Sequence, residues 1–140
     1  MKTAIILVGV SGSGKSTLTN ILRALAFGAK QKVAICSADD YFTDEYGNYN
    51  FEPTLLGKAH VQCRDKFVTA LSTLVDVVIC DNTNTTRGER DWYIHEAKSQ
   101  GHLTFSLVVE NTHCEEDIHH VPEEVRLRQA YNIGESLQLL

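Results

Sequence analysis

The chain lacks any apolar run long enough to cross a bilayer, so none of its 140 residues reads as a membrane-spanning helix. It lacks an excess of positive charge. Thirteen Lys and Arg stand against eighteen Asp and Glu, and the net charge of −5 argues against broad coating of nucleic acid, though not against a local basic groove. It has no CxxC pair, which argues against a zinc ribbon; its four cysteines, Cys36, Cys63, Cys80 and Cys114, are widely spaced. Cys36 and Cys80 lie in apolar runs and read as buried, reduced thiols of a cytoplasmic protein. There is no repeat, low-complexity tract or linker, so residues 1–140 read as one domain. Only two prolines are present, Pro53 and Pro122, and each stands where a helix is expected to start. The apolar start MKTAIILVGV has no small-residue cleavage pattern and leads straight into GVSGSGKS, so it reads as a strand rather than a signal peptide.

What is present is an alternation of strands and helices. TAIILVG, residues 3–9, is a continuous apolar run of the kind that fills a central parallel strand. Residues 15–27 carry Leu18, Ile21, Leu22, Leu25 and Ala26 at helical spacing, with Gly28 as a stop. Residues 32–37 form a second strand. Pro53 opens a second helix with the stripe Leu56, Ala59, Cys63, Phe67, Ala70 and Leu74. Residues 76–81 are a third strand, 87–100 a third helix, 103–110 a fourth strand, and a last helix begins near Pro122. This order implies a parallel sheet with helices on both faces, joined by right-handed crossovers.

The segment Gly9-Val-Ser-Gly-Ser-Gly-Lys-Ser16 fits G-x-x-x-x-G-K-[ST], with a strand before it and an amphipathic helix after it. The fold class is therefore α/β, a P-loop NTPase-type three-layer sandwich. Gly9, Gly12 and Gly14 let the backbone wrap a phosphate. The amides of the loop, with Ser11, Ser13 and Thr17, form an anion nest at a helix start. Lys15 is expected to reach the β- and γ-phosphates of ATP, and the Ser16 hydroxyl to ligate Mg²⁺.

A second group of residues falls at the same sheet edge. In an open parallel sheet, ligands sit beyond the carboxyl ends of the strands. Asp39 and Asp40 follow the second strand and Asp81 ends the third. A carboxylate there can take the proton of an acceptor hydroxyl. One aspartate of the pair can face the site while its neighbour turns toward local backbone N–H groups. Asp81 is also placed to act on Mg²⁺ through water. In Asp81-Asn-Thr-Asn-Thr-Thr86, the side chains from Asn82 to Asn84 suit either an acceptor or the capping of the next helix. Arg87 and Arg90 suit either phosphate or a solvated helix start. His113, Cys114, His119 and His120 crowd one loop, but their spacing matches no metal template and reads as solvated. His60 reads as packing at the edge of the core, with acceptor contact as the alternative.

GVSGSGKS, SADDYF, YGNYNFEPTLLGKAH, ICDNTNTT and HHVPEEVRLRQAY, in this order, resemble the polynucleotide 5′-kinases over nearly the whole chain. The resemblance implies that Asp39 is the general base for the acceptor 5′-hydroxyl, Lys15 the P-loop lysine and Asp81 the strand-three aspartate of the acceptor pocket. Asp40, Asn84 and Arg87 join Asp81 as acceptor-binding candidates. Two departures stand out. The bacteriophage-type enzymes carry an arginine three residues after the base, where this chain has Phe42. The family's lid carries an arginine, and residues 110–120 have none. Arg126 and Arg128 on the last helix are the nearest substitutes. They lie about 200° apart around a helix, so one at most faces the nucleotide. Arg126, one turn from Pro122, is the candidate catalytic cation.

The expectation is transfer of the γ-phosphate of ATP, with Mg²⁺, to the 5′-hydroxyl of a DNA or RNA end. A P-loop kinase for a nucleoside or sugar and a weakly catalytic ATP-binding interaction module are the alternatives.

Overall fold

A computed structural model describes residues 1–110 and 121–138. Four strands, β1 (Thr3–Val8), β2 (Val33–Cys36), β3 (Val77–Cys80) and β4 (Leu103–Val108), form one parallel sheet in the order β2-β3-β1-β4. Four helices alternate with them: α1 (Lys15–Gly28), α2 (Leu56–Leu71), α3 (Arg87–Ser99) and α4 (Glu123–Gln138). The expected α/β architecture is the observed one. No helix among the described residues is long and apolar enough to cross a membrane.

The sheet's pleat sorts the side chains. Ala4 and Ile6 of β1, Val78 and Cys80 of β3 and Cys36 of β2 share one face, where Ala59, Cys63 and Phe67 of α2 and Tyr93 and Ala97 of α3 close a core. The rings of Phe67 and Tyr93 meet edge to face at 4.9 Å and tie the two helices together. α1 packs against β2.

Two of the expected helix stripes are shifted. In α1, Leu25 is 67% exposed and Ile21 is exposed, while Lys15, Thr19 and Ala26 are buried. Ala26 of the expected stripe faces in, together with Thr19, which bonds to Asp81 at the end of β3. In α2, Ala59, Cys63, Phe67 and Ala70 point inward as expected. Leu56 is exposed, and Leu74 lies beyond the helix end and is exposed. Leu71 takes the last inward position instead. Pro53 begins a short 3₁₀ turn, Pro53–Leu55, before α2; the Glu52 carboxylate accepts from Thr54 N at 3.3 Å and caps it.

Candidate active site

The phosphate loop follows from the covalent limits of its glycines. Gly12 and Gly14 have φ of +78° and +104°, the left-handed region where a Cβ is strained. Gly9 needs its bare Cα for a different reason. A Cβ there would stand 2.6 Å from Ser13 Oγ and 2.8 Å from the Val109 carbonyl, so β4 passes directly against the loop. Gly14 caps α1 without a side-chain bond, and the first turn of α1 carries no acidic residue, so its amides remain a positive end. Lys15 is buried and its Nζ donates to the Val10 carbonyl at 2.8 Å, inside the loop. Ser13 is buried, while Ser16 and Thr17 lie exposed at the helix start.

Asp81 stands where β3 ends. Its Oδ2 accepts from Thr19 Oγ1 at 3.2 Å. Burial pushes its carboxyl above the usual carboxylate range; the charge of Lys15 and the Thr19 bond act against this, and the charges of Asp39 and Asp40 act with it. That mutual influence draws Lys15, Asp81, Asp39 and Asp40 into one electrostatic neighbourhood. Thr19 carried no signal in the sequence beyond its place one turn after Lys15.

Asp39 and Asp40 lie on a 3₁₀ turn, Ala38–Phe42, that follows β2. Ser37 caps the turn and its Oγ accepts from Asp39 N at 3.2 Å. The exposed Asp39 carboxylate accepts from the Tyr49 hydroxyl at 3.2 Å. Asp40 faces Lys66 of α2 at 4.0 Å, both half-exposed, rather than the backbone amides expected for it. Phe42, at the position of the bacteriophage-type arginine, is buried among Tyr41, Tyr49 and Phe51 and belongs to the core.

Asn82 and Asn84 are structural. Asn82 is buried, and its Oδ1 accepts from Ala38 N at 2.8 Å, which fastens the aspartate turn to the end of β3. Its Nδ2 lies within 3.5 Å of the sulfurs of Cys63 and Cys80 and of the Tyr93 hydroxyl. Bonds from Cys80, Tyr93 and Asn82 converge on Cys63 and pull its thiol below the usual range, while burial pushes Cys36 up to about 12. The free thiols of Cys36, Cys63 and Cys80 are buried as expected. Asn84, expected at the acceptor, is buried with φ of +47°, and its Nδ2 donates to the Leu7 carbonyl at 2.8 Å. Its amide is spent on β1. Thr86 caps α3 in a reciprocal pair with Glu89, the capping alternative for this segment.

The arginines separate clearly. Arg126 Nε donates to the Ser11 carbonyl of the phosphate loop at 3.2 Å. Gln129, one turn on and carrying no signal in the sequence, accepts from Ser11 N at 2.9 Å. Arg128 is exposed. Arg87, expected at the acceptor, pairs with Asp91 along the exposed side of α3 at 3.5 Å. Arg90 is buried and its Nη1 donates to Ser136 Oγ at 2.9 Å, which clips α3 to α4. No group of three or more metal-ligating side chains occurs among the described residues. The His113, Cys114, His119 and His120 reading and the lid lie outside them. His60 is half-buried on α2.

A phosphate nest, a buried lysine and three carboxylates at one sheet edge are the parts of a nucleotide site. Human NEDD4-binding protein 2 is 35% identical over 98 residues, which is 70% of this chain and 5% of that protein. The chain thus spans a small part of that relative's length. The fold is shared with Chaetomium thermophilum Kti12, solved in complex with ADP-AlF3, at a TM-score of 0.61 and 18% identity over 92% of this chain and 79% of that one. It is shared also with the Mycobacterium tuberculosis APS kinase CysC, at a TM-score of 0.58 and 12% identity over 96% of this chain and 98% of that one. Residues 5–120 match the AAA domain family, and the chain belongs to it, as a P-loop NTPase-type α/β domain.

Proposed function

We propose that the protein is an ATP-dependent kinase that phosphorylates the 5′-hydroxyl of a DNA or RNA end. One observation carries this reading. The Asp39 carboxylate is open to solvent, held by the Tyr49 hydroxyl, and shares a sheet edge with Lys15 and Asp81. A base for an alcohol has to be fixed yet reachable, and Asp39 is both.

In this mechanism the amides of residues 9–17 and Lys15 hold the β- and γ-phosphates of ATP. The acceptor oxygen attacks the γ-phosphorus, the bond from phosphorus to the bridging oxygen breaks, and ADP leaves. The proton of the acceptor passes to Asp39. Arg126, tied to the phosphate loop through the Ser11 carbonyl, is the candidate second cation beside Lys15. Ser16 and Asp81 offer the hard oxygen donors that Mg²⁺ prefers, and the ion when bound would neutralise charge on the phosphates. The buried free thiols support a cytoplasmic setting.

A smaller acceptor is the second reading. It is favoured by the net charge of −5 and by the fold shared with an APS kinase over nearly all of that chain. One assay separates the readings: radiolabelled ATP offered with a 5′-hydroxyl oligonucleotide, with nucleosides, or with no acceptor. Label on the oligonucleotide is the expected result. Label on nucleosides alone selects the second reading, and no transfer at all removes both.

A further inference from the structure

The segment between the aspartate turn and α2 is a rigid hairpin. The Asp44 carboxylate accepts from Tyr46 N at 2.9 Å, Asn48 N at 2.8 Å and Asn48 Nδ2 at 3.0 Å. Asp44 N donates to the Asn48 carbonyl at 2.9 Å, and Gly47 turns the chain with φ of +82°. Thr43 and Tyr49 form an antiparallel bridge, and Asn50 N donates to the Phe42 carbonyl at 2.9 Å. This much fixing orders side chains that point outward as well as inward.

The hairpin presents two rings. Tyr49 and Phe51, two residues apart on extended backbone, lie at 10° to one another with centroids 6.4 Å apart. Both meet the buried Phe42 edge to face, at 6.3 Å and 5.1 Å. Phe51 is 49% exposed, so half of a large apolar ring faces water at the end of a tightly built turn. The Tyr49 hydroxyl touches Asp39, so this aromatic shelf begins one hydrogen bond away from the proposed base. A nucleoside whose 5′-hydroxyl reaches Asp39 carries its base one sugar away, and the Tyr49 ring stands beside that carboxylate.

We propose that Tyr49 and Phe51 form a stacking subsite for the terminal nucleobase of the acceptor. The proposal rests on the acceptor reading above and narrows it to substrates with a base next to the reacting hydroxyl. Every base has a π face, so the subsite takes any of the four and works without reading sequence. A bare sugar gains nothing from it.

Two measurements on the full chain test this. A DNA oligonucleotide with 5′-terminal 2-aminopurine reports stacking by loss of fluorescence, without turnover. Phosphorylation of oligonucleotides with a normal or an abasic 5′ end reports its use in catalysis. Phe51→Leu keeps an apolar cover over Phe42 and removes the π face. Fluorescence should fall with the wild-type protein and fall clearly less with Phe51→Leu, which keeps Tyr49 alone. The abasic end should raise the acceptor KM of the wild type about 5- to 150-fold, the range of one base stack, with kcat at saturation changed far less. In Phe51→Leu the gap between the two ends should narrow. If Phe51→Leu does not fold, the comparison of ends on the wild type decides. Quenching without phosphoryl transfer supports the shelf and removes the kinase reading. Transfer that ignores both the base and the Phe51 substitution keeps the kinase and overturns the shelf. Neither quenching nor transfer overturns both.

Discussion

The Asp39 carboxylate accepts from Tyr49, whereas that of Asp40 faces Lys66 at 4.0 Å across solvent. Asp39→Asn keeps the size and removes the base, so transfer should fall about 10²- to 10⁴-fold with ATP still bound. Asp40→Asn loses an exposed pair that contributes about 0–1 kcal/mol, so activity and melting temperature should barely move. Equal activity losses at the two positions, measured in parallel kinetics, would mean that the roles are assigned wrongly. Asp81 offers a second test through pH. Its folded pKa is raised, chiefly by burial, so the folded state binds a proton more readily than the unfolded one. The charged form therefore weakens the fold, and the cost grows as pH rises through the carboxylate range. Asp81→Asn should melt higher than wild type at pH 7 in metal-free buffer. That difference should shrink as pH falls through the carboxylate range, because the wild-type carboxyl gains its proton there. A difference that grows on acidification would contradict the assignment of burial as the cause.

The phosphate loop is held between elements, and its tolerance to substitution follows from them. Gly9→Ala places a methyl group 2.8 Å from the Val109 carbonyl at the end of β4, and backbone cannot give way as a side-chain tip can. About 1–3 kcal/mol of stability should be lost, as in other overpacked sites, and ATP affinity should fall with the distorted loop. Thermal melting and equilibrium ATP binding check both. On the other side, α4 reaches the loop through Arg126 and Gln129 on Ser11. Arg126→Ala should lower kcat more than it weakens ATP binding, while Arg128→Ala, on the exposed side, should turn over normally. Normal turnover in both variants would shift attention from α4 altogether. Helical spacing alone separated Arg126 from Arg128. It gave no hint of Gln129, whose role depends on where α4 docks, nor of Thr19, whose role depends on the rotation of α1.

The whole molecule exposes an apolar flank. Among the described residues β4 is an edge strand paired with β1 alone, and it carries no charge from Leu103 to Val109. On one face of the pleat, Leu103, Phe105 and Leu107 are exposed, with Phe105 at 46%. An uncharged edge strand with unpaired amides is a template for another strand. The 140-residue chain should self-associate as concentration rises. Phe105→Lys, a gatekeeper on that edge, should raise the concentration at which association begins, read by light scattering. Unchanged scattering would place the contact elsewhere.

The alternation of strands and helices, the phosphate loop and the three carboxylates at the strand ends were all legible in the chain itself. Each is local: a run of apolar residues, a glycine spacing, a charge placed where a strand stops. What depended on tertiary structure was which side of each element faces in. The stripe of α1 pointed to Leu25 and Ile21 as core, but both are exposed while Thr19 faces in and bonds to Asp81. Asn84 looked like an acceptor ligand and is instead buried against Leu7. Arg90 suited either phosphate or a solvated helix start, and it is buried and clips two helices. Tyr49 reaches Asp39 only because a hairpin folds ten residues of chain back on itself. Residue type and spacing settle which groups lie at an edge. Only packing settles the rotation of a helix and the partner of a polar side chain, because both minimise over the whole fold at once.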